Sequence, residues 1–526
     1  MFHPRLPDLD VIFAATGSFG SFQILLILIR QWVSLPLASN GFVLFMLGGI
    51  LPTYTCHDLG GYNWTTNCVC DFRLKCQNFT VTSAFHSHVQ EFGLVCDQSY
   101  LVNLMIMVNL VSSIPGLIIS GHLADHFGRK WIFCVSISCT IVLGLLMAGA
   151  QSFTMLICLC GAQGAVTGLL NGVANAYFTE LVTKRYRCVL ICSEQWYLSY
   201  MANALLAYLT GDWRKFLLTV NAISLILIPL CPLILVESPR WLIQKGRFDE
   251  AAYALNWIAK INRRPARARV PESQILAIYQ RRAEQNFGQN GHNFGQSRPF
   301  LTFVDCFQVK GLFSRTLLLL AHFPTIFIGI TTLVRHIQTL VSNPFINMGL
   351  NGPLRIWGPI LLIWADRHGQ KIGRRGLIMA SNISIIFCLT VLGVIHATWQ
   401  QAHLHIWVTT IGTLAILVTV CAYWLTLDLC TTEFYPTTLR CIGITTVNAI
   451  GTAGFVLAPQ FLLATKRWPA IAYSATILAS CLVAALDYYF FPETCGAPLL
   501  ESIDEVKPLP RRHKHKKKIA EDRHYY

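Results

Sequence analysis

The sequence predicts an all-α membrane protein whose twelve transmembrane helices form two matching six-helix bundles. Three observations carry this expectation. Only 13% of the 526 residues are charged and 54% are hydrophobic, against about 25% charged in an average soluble domain. Apolar runs long enough to cross about 30 Å of hydrocarbon recur along the chain, half of them before and half after a long polar segment at 237–313. Finally, Asp125…Gly128-Arg129-Lys130, after the second run of the first half, returns as Asp366-Arg367…Gly373-Arg374-Arg375 after the second run of the second half. A repeat of about 240 residues with parallel halves is the plan of a two-bundle carrier.

The stretch Gly121-His122-Leu123-Ala124-Asp125-His126-Phe127-Gly128-Arg129-Lys130 is the most informative. Residues 101–120 before it and 131–179 after it contain no charged side chain. A short charged turn between two such runs reads as a tight loop at a membrane surface. Its glycines permit a sharp turn, and Asp125 can accept hydrogen bonds from a neighbouring helix N-terminus.

The elements follow in order. Residues 1–21 are a short N-terminal segment, and 22–236 hold the first bundle. Helix one is expected at 24–48, with Arg30 near its inner end. The polar loop 52–98 carries Cys56, Cys68, Cys70, Cys76 and Cys96 and two sequons, at Asn63 and Asn78. Clustered cysteines beside sequons point to an oxidising, glycosylated outer loop. Because five is odd, at least one thiol stays free or pairs elsewhere. His86 and His88 in this loop are expected to be a solvated pair. Helices two to six are expected at 99–120, 131–150, 153–178, 188–210 and 216–236.

The segment 237–313 carries twelve Lys or Arg residues, and the outer loop carries two. The short loops at 121–130, 181–187, 366–375 and 433–440 are basic too, which places them and both termini in the cytoplasm. Phe248 to Ile261 shows helical spacing and is expected to be a surface helix. The second bundle occupies 314–490: helix seven at 316–336, helix eight at 345–365, helices nine and ten within the charge-free stretch 376–427, helix eleven at 441–464 and helix twelve at 468–489. The tail 491–526 ends in a basic run suited to anionic lipid. The formal charge of +15 is therefore a cytoplasmic-face excess rather than a nucleic-acid surface. The first apolar run is too long for a cleavable signal. No phosphate-binding loop, zinc spacing or serine elbow is found, so neither an enzyme nor a cofactor is expected.

Two constellations are candidates for function. Gly121, Asp125, Gly128, Arg129, Lys130, Glu180, Arg187, Glu237, Arg240, Asp366, Arg374, Glu433 and Arg440 all fall at inner helix ends. Acids alternate with bases at matching places in the two halves, as a latch closing the inner mouth requires. Charges inside apolar spans are costly and normally face a cavity or a partner; Glu194, Arg335, Arg355 and Asp428 stand out. Asn171 and Asn175 share one helix face. Tyr177, Trp196, Phe323, Phe327, Tyr423 and Trp424 are candidates for an amphiphilic pocket, able to hold cations by cation–π attraction or flat anions by stacking.

Five motifs narrow the reading: Phe22-Gln23, Glu91-Phe92-Gly93-Leu94-Val95-Cys96, Glu237-Ser238-Pro239-Arg240-Trp241-Leu242, Glu433-Phe434-Tyr435-Pro436-Thr437-Thr438-Leu439-Arg440 and Pro492-Glu493-Thr494-Cys495-Gly496. In combination they resemble the organic cation/anion/carnitine transporter family of the major facilitator superfamily. The resemblance implies alternating access and carriage of a small organic ion across a lipid bilayer, the plasma membrane; it leaves the oligomeric state open. It also implies that Gln195 lines the substrate cavity. Arg355 stands where organic-anion members carry a base, and Ala449 where anion carriers have arginine and cation carriers aspartate. The lean is to anions, with cations and zwitterions open. The chain departs from the pattern in three ways: no Lys or Arg within 131–183, an insertion at His368 to Ile372, and a first outer loop that is short and lacks one cysteine. These departures also fit a non-transporting receptor on the same fold.

Overall fold

The computed structural model describes residues 16–48, 53–56, 64–66, 79–94, 98–193, 197–265, 270–277, 302–337, 344–368, 373–398, 403–436, 439–456, 469–495, 500 and 506. The first half contributes α1 (Ser21–Ala38, continued by a π-turn Ser39–Val43 and Leu44–Gly48), α2 (Tyr100–Phe127), α3 (Arg129–Ala148), α4 (Phe153–Glu180), α5 (Arg187–Cys192 and Tyr197–Thr210) and α6 (Trp213–Ser224 and Leu227–Ile234). The second contributes α7 (Lys310–Ile337), α8 (Pro344–Arg355 and Trp357–Arg367), α9 (Gly373–Thr398), α10 (His403–Phe434), α11 (Arg440–Val456) and α12 (Pro469–Phe490). Among the described residues, seven of these stretches are long and apolar enough to cross a membrane unaided.

Two of the interruptions lie beside a proline, which removes a backbone donor. Pro359 cannot donate to the carbonyl four residues earlier, that of Arg355. That carbonyl instead accepts from the Cys421 thiol at 3.5 Å, and α8 is interrupted at Ile356. Helix α1 widens into its π-turn just after Pro36.

The ten-residue loop expected at 121–130 is a single residue. Helix α2 runs through Phe127 and α3 starts at Arg129, with Gly128 between them at φ +102°. The polar side chains stay helical because their charges are met locally: Arg129 pairs with Asp125 at 3.2 Å, and Glu237 accepts from the Arg129 and Lys130 amides at 2.8 and 3.2 Å. Gly373, at φ +63°, makes the equivalent turn before α9.

Helix α2 packs on α4 within its own half and on α11 of the other, while α5 packs on α8. The two halves therefore meet along two seams. The helix expected at Phe248 to Ile261 is present, and one of its faces packs on the first half. Two short helices, Pro239–Gln244 and Phe248–Ile261, follow α6. Ala251, Ala254, Leu255 and Ile258, spaced to share one face, join a core with Phe22, Leu26, Phe133 and Tyr177. Asn262 then clamps the start of α1, accepting from the Phe22 amide at 2.9 Å and donating to Gln23 Oε1 at 3.2 Å.

The outer loop holds an antiparallel sheet of β1 (Thr53–Cys56), β2 (Trp64–Thr66) and β3 (Phe79–Thr82) in the order β2-β1-β3. Cys68, Cys70, Cys76, Cys96, Asn63 and Asn78 lie outside the described residues, as does the Cys56 side chain. Residues 83–94 form a strap across the α5–α6 turn: the His86 amide donates to Gly211 O at 2.9 Å and the Trp213 amide to His86 O at 3.0 Å. Glu91 pairs with Arg214 at 2.6 Å and accepts from Trp213 Nε1 at 2.7 Å.

The expectation of a solvated histidine pair is corrected here. His86 is exposed and pairs with Asp212 at 3.2 Å, but His88 is fully buried against the Trp213 ring. Neither of its ring nitrogens has a hydrogen-bond partner among the described residues. Burial pushes its pKa down to about 4, against a smaller upward pull from Glu91. The unfolded chain, near 6.5, therefore binds more protons than the folded one between these values. The stability contributed by neutral His88 is complete above about pH 6.5 and is lost as the pH falls towards 4, an effect of about 3 kcal/mol. We expect the melting temperature of the solubilised protein to drop over this window and His88→Gln to flatten the drop. Parallel melting profiles would remove His88 as its cause.

Candidate functional site

The candidate latch is built twice. In the first half Arg129, at the start of α3, is fully buried between Asp125 (3.2 Å) and Glu180 (3.0 Å). Glu180 ends α4 and also accepts from the Ser238 hydroxyl at 2.6 Å. In the second half Arg374, at the start of α9, meets Asp366 at 2.9 Å and Glu433, the acid near the end of α10. Glu237 caps α3 in one half. Glu493 caps α9 in the other, accepting from the Arg374 and Arg375 amides at 3.1 Å. A Cβ on Gly128 would strike Glu237, and one on Gly373 would strike Glu493; glycine is needed at both turns for φ and for clearance.

The two copies are then crossed. Arg440 of α11 reaches Glu180 of the first half at 3.2 Å, and Arg187 of α5 reaches Glu433 of the second at 3.8 Å. Each glutamate is thus shared between an arginine of its own half and one of the other, all four pairs being buried. Arg240 is buried as well. Buried pairs of this kind are costly to break from one side, because the survivor is left as an unpaired charge. Gly121 approaches α11 at Ile442 and Thr445, and the Lys130 ammonium lies over the Trp131 ring. Most of the predicted latch residues thus fall into two clusters, one around Glu180 and one around Glu433.

Farther along the same helices, Asn175 of α4 donates to both oxygens of Asp428 on α10, at 3.0 and 3.2 Å, and accepts from the Arg30 guanidinium of α1. Arg30 also stacks on Phe178 at 5.1 Å. The expectation that Arg30 sits near the inner end of helix one is corrected: α1 begins at Ser21 and Arg30 is buried well inside it. Arg355 projects over the Tyr200 ring of α5 at 5.2 Å and is half-buried, with no carboxylate paired to it among the described residues.

The remaining predicted pocket residues divide. Phe323 and Trp424 meet edge to face at 6.3 Å, and Trp424 also contacts Phe455. Asn171 is half-buried and Ala449 buried. Tyr177 belongs to the first-half core, its hydroxyl donating to Val236 O at 2.5 Å. Tyr423 is buried against His322. Glu194, Gln195 and Trp196, and the side chains of Phe327 and Arg335, lie outside the described residues. Sequence reasoning passed over two ionisable residues that sit in apolar spans and are buried here, His322 and Asp487. The signal for Asp487 was present, since a charge inside predicted helix twelve is as costly as Arg355 inside helix eight.

Comparison with known proteins fits this doubled architecture. A family model described as "Sugar (and other) transporter" matches residues 42–506. The chain belongs to that transporter family. The transporter is 26% identical over 441 residues to the organic cation transporter protein of Drosophila melanogaster, covering 81% of this chain and 76% of the relative. It is 28% identical to solute carrier family 22 member 7 of Sus scrofa (79% and 72% covered) and 26% identical to the human organic cation/carnitine transporter 2 (80% and 71%). These relatives bear out the resemblance read from the motifs. Among solved structures, the proton:xylose symporter XylE, of the major facilitator superfamily, aligns with TM-score 0.65 at 16% identity, covering 92% of this chain and 98% of that one. Its inward-open form from E. coli aligns with TM-score 0.54 at 15% identity, covering 92% and 98%. The transporter is thus a multi-pass membrane protein with the twelve-helix facilitator fold, and its relatives are carriers rather than enzymes.

Proposed function

We propose that this transporter carries small organic ions across the plasma membrane by rocking its two six-helix halves about a central site. The reading rests on the reciprocal pairs Arg440–Glu180 and Arg187–Glu433, which join one half to the other at the helix ends that also carry Asp125, Arg129, Asp366 and Arg374. Such pairs favour one state of a two-state equilibrium and part in the other. The substrate class is supported by the relatives, whose names include organic cation and carnitine transporters, and by charged side chains within the spans. The lean towards anions is supported by Arg355, which meets an aromatic face but no described carboxylate, whereas Asp428 is held by Asn175.

The basic inner loops support cytoplasmic termini, and the sequons at Asn63 and Asn78 support glycosylation of the outer loop. The domain division is 22–236 and 314–490 about the central segment 237–313. Uptake into proteoliposomes of a panel of organic anions, cations and zwitterions tests the reading. Saturable flux of at least one anion is expected. No saturable flux for any member, in protein that remains folded, would favour a receptor.

A further inference from the structure

The Arg30–Asn175–Asp428 chain differs from the latch in one respect: a neutral amide stands between its two opposite charges. Arg30 comes from α1 and Asn175 from α4 of the first half, and Asp428 from α10 of the second. Arg30 and Asn175 are buried. A guanidinium can only donate, so the orientation of the amide is fixed. Asn175 Oδ1 faces Arg30, and Nδ2 donates to the two Asp428 oxygens at 3.0 and 3.2 Å. From a single carbon the carboxamide thus offers an acceptor to the cation and a donor to the anion.

The open side of this chain is aromatic. Between Cys421 and Phe434 every side chain of α10 is buried except Trp424 and Asp428. The two are four residues apart and share a helix face. Asp428 reaches Asn175 of the other half, so this face looks between the halves rather than into lipid. Trp424, one turn along α10 on the side away from Glu433, meets Phe323 of α7 edge to face at 6.3 Å and Phe455 of α11 at 6.4 Å.

We propose that Asn175 holds the place of a ligand's head group, and that the ligand is a primary α-amino acid with an apolar side chain. In such a molecule an ammonium donor and a carboxylate acceptor sit on one carbon, as the N–H and C=O groups of Asn175 do. When the Asn175 side chain turns aside, Arg30 receives the ligand carboxylate and Asp428 the ligand ammonium. Each new contact joins opposite charges away from bulk water, where the attraction exceeds that of a charge for an amide. Binding breaks no covalent bond. The ligand's side chain then lies against Trp424 and Phe323. A carboxylate or an amine alone answers one charge and leaves the other to Asn175. A quaternary ammonium has no N–H to give Asp428. Arg355, over Tyr200 at the α5–α8 seam, is not a member of this chain. That the amino acid is carried rests on the reading above; that it is bound does not.

The test uses the full chain and probes that share a phenyl side chain and differ in the head group: L-phenylalanine, 3-phenylpropionate, phenethylamine, N-acetyl-L-phenylalanine and N,N,N-trimethyl-L-phenylalanine. Binding is read by calorimetry on the solubilised protein near neutral pH. L-Phenylalanine should bind at least about tenfold more tightly than each of the others. No binding of L-phenylalanine, or equal binding of 3-phenylpropionate or of the trimethylated form, overturns the proposal. Glycine carries the same head group without the side chain and should also bind at least about tenfold more weakly; equal binding overturns the role of Trp424 and Phe323. In Asp428→Asn the preference for L-phenylalanine over 3-phenylpropionate should shrink to about threefold or less, because Arg30 still holds the carboxylate. An unchanged preference removes Asp428 from the site. Should that variant fail to fold, the probe series on wild-type protein decides.

In proteoliposomes, labelled L-phenylalanine should enter saturably. If other panel ions are carried while L-phenylalanine is neither bound nor carried, the amino-acid site fails and the carrier reading stands. If L-phenylalanine binds with the stated selectivity and nothing is carried, the carrier reading fails and the site stands.

Discussion

Glu180→Gln is expected to weaken the closed inner mouth by about 3–5 kcal/mol, the usual cost of removing one partner from a buried ionic network. Glu180 is fully buried and answers two arginines, Arg129 from its own half at 3.0 Å and Arg440 from the other at 3.2 Å. A glutamine keeps the shape and the Ser238 contact but leaves both guanidinium groups short of a counter-charge. At 1.4 kcal/mol per tenfold, the balance between closed and open states should move by about two to three orders of magnitude. Net uptake should fall more than tenfold, since one of the two alternating states becomes hard to reach.

Cys441 reports the change directly. It adjoins Arg440 and is buried in the closed arrangement, so its alkylation, followed by mass spectrometry, should speed up in Glu180→Gln. Glu433→Gln should act likewise through Arg374 and Arg187. Unchanged Cys441 reactivity in both variants, with uptake preserved, would reduce these residues to orientation charges.

Arg355→Glu should reverse substrate charge preference. The guanidinium lies over Tyr200, at the seam where α5 meets α8. Its backbone is fixed there because Pro359 frees the Arg355 carbonyl for Cys421. A carboxylate in its place would sit in the same half of the molecule as Asp428, making the region doubly acidic and repelling anions. We expect anion uptake to drop at least about tenfold, a change of 1.4 kcal/mol in favour of cations over anions, with cation uptake retained or raised. If the ratio of anion to cation flux is the same in variant and wild type, Arg355 does not face the substrate.

Much of this was legible in the chain. Apolar runs dictate helices because a backbone in lipid must satisfy its own hydrogen bonds, so their number and most of their limits followed from residue order. The latch residues were legible because charges at span ends recur with the half-repeat. The turn at Gly128 was not, since a polar decapeptide looks like a loop until Asp125, Glu180 and Glu237 are seen to neutralise it. His88 looked like a solvent-facing loop residue until the strap packed it against Trp213.

Residue order by itself determined the class, the doubling of the chain and the residue types at the inner mouth, because hydropathy and charge act locally and repeat by period. Only the tertiary structure decided the partners. Glu180 and Arg440 are 260 residues apart, as far from periodicity as Asn175 is from Asp428. Which buried charge answers which is set by how helices from different parts of the chain pack, and packing leaves no spacing to read.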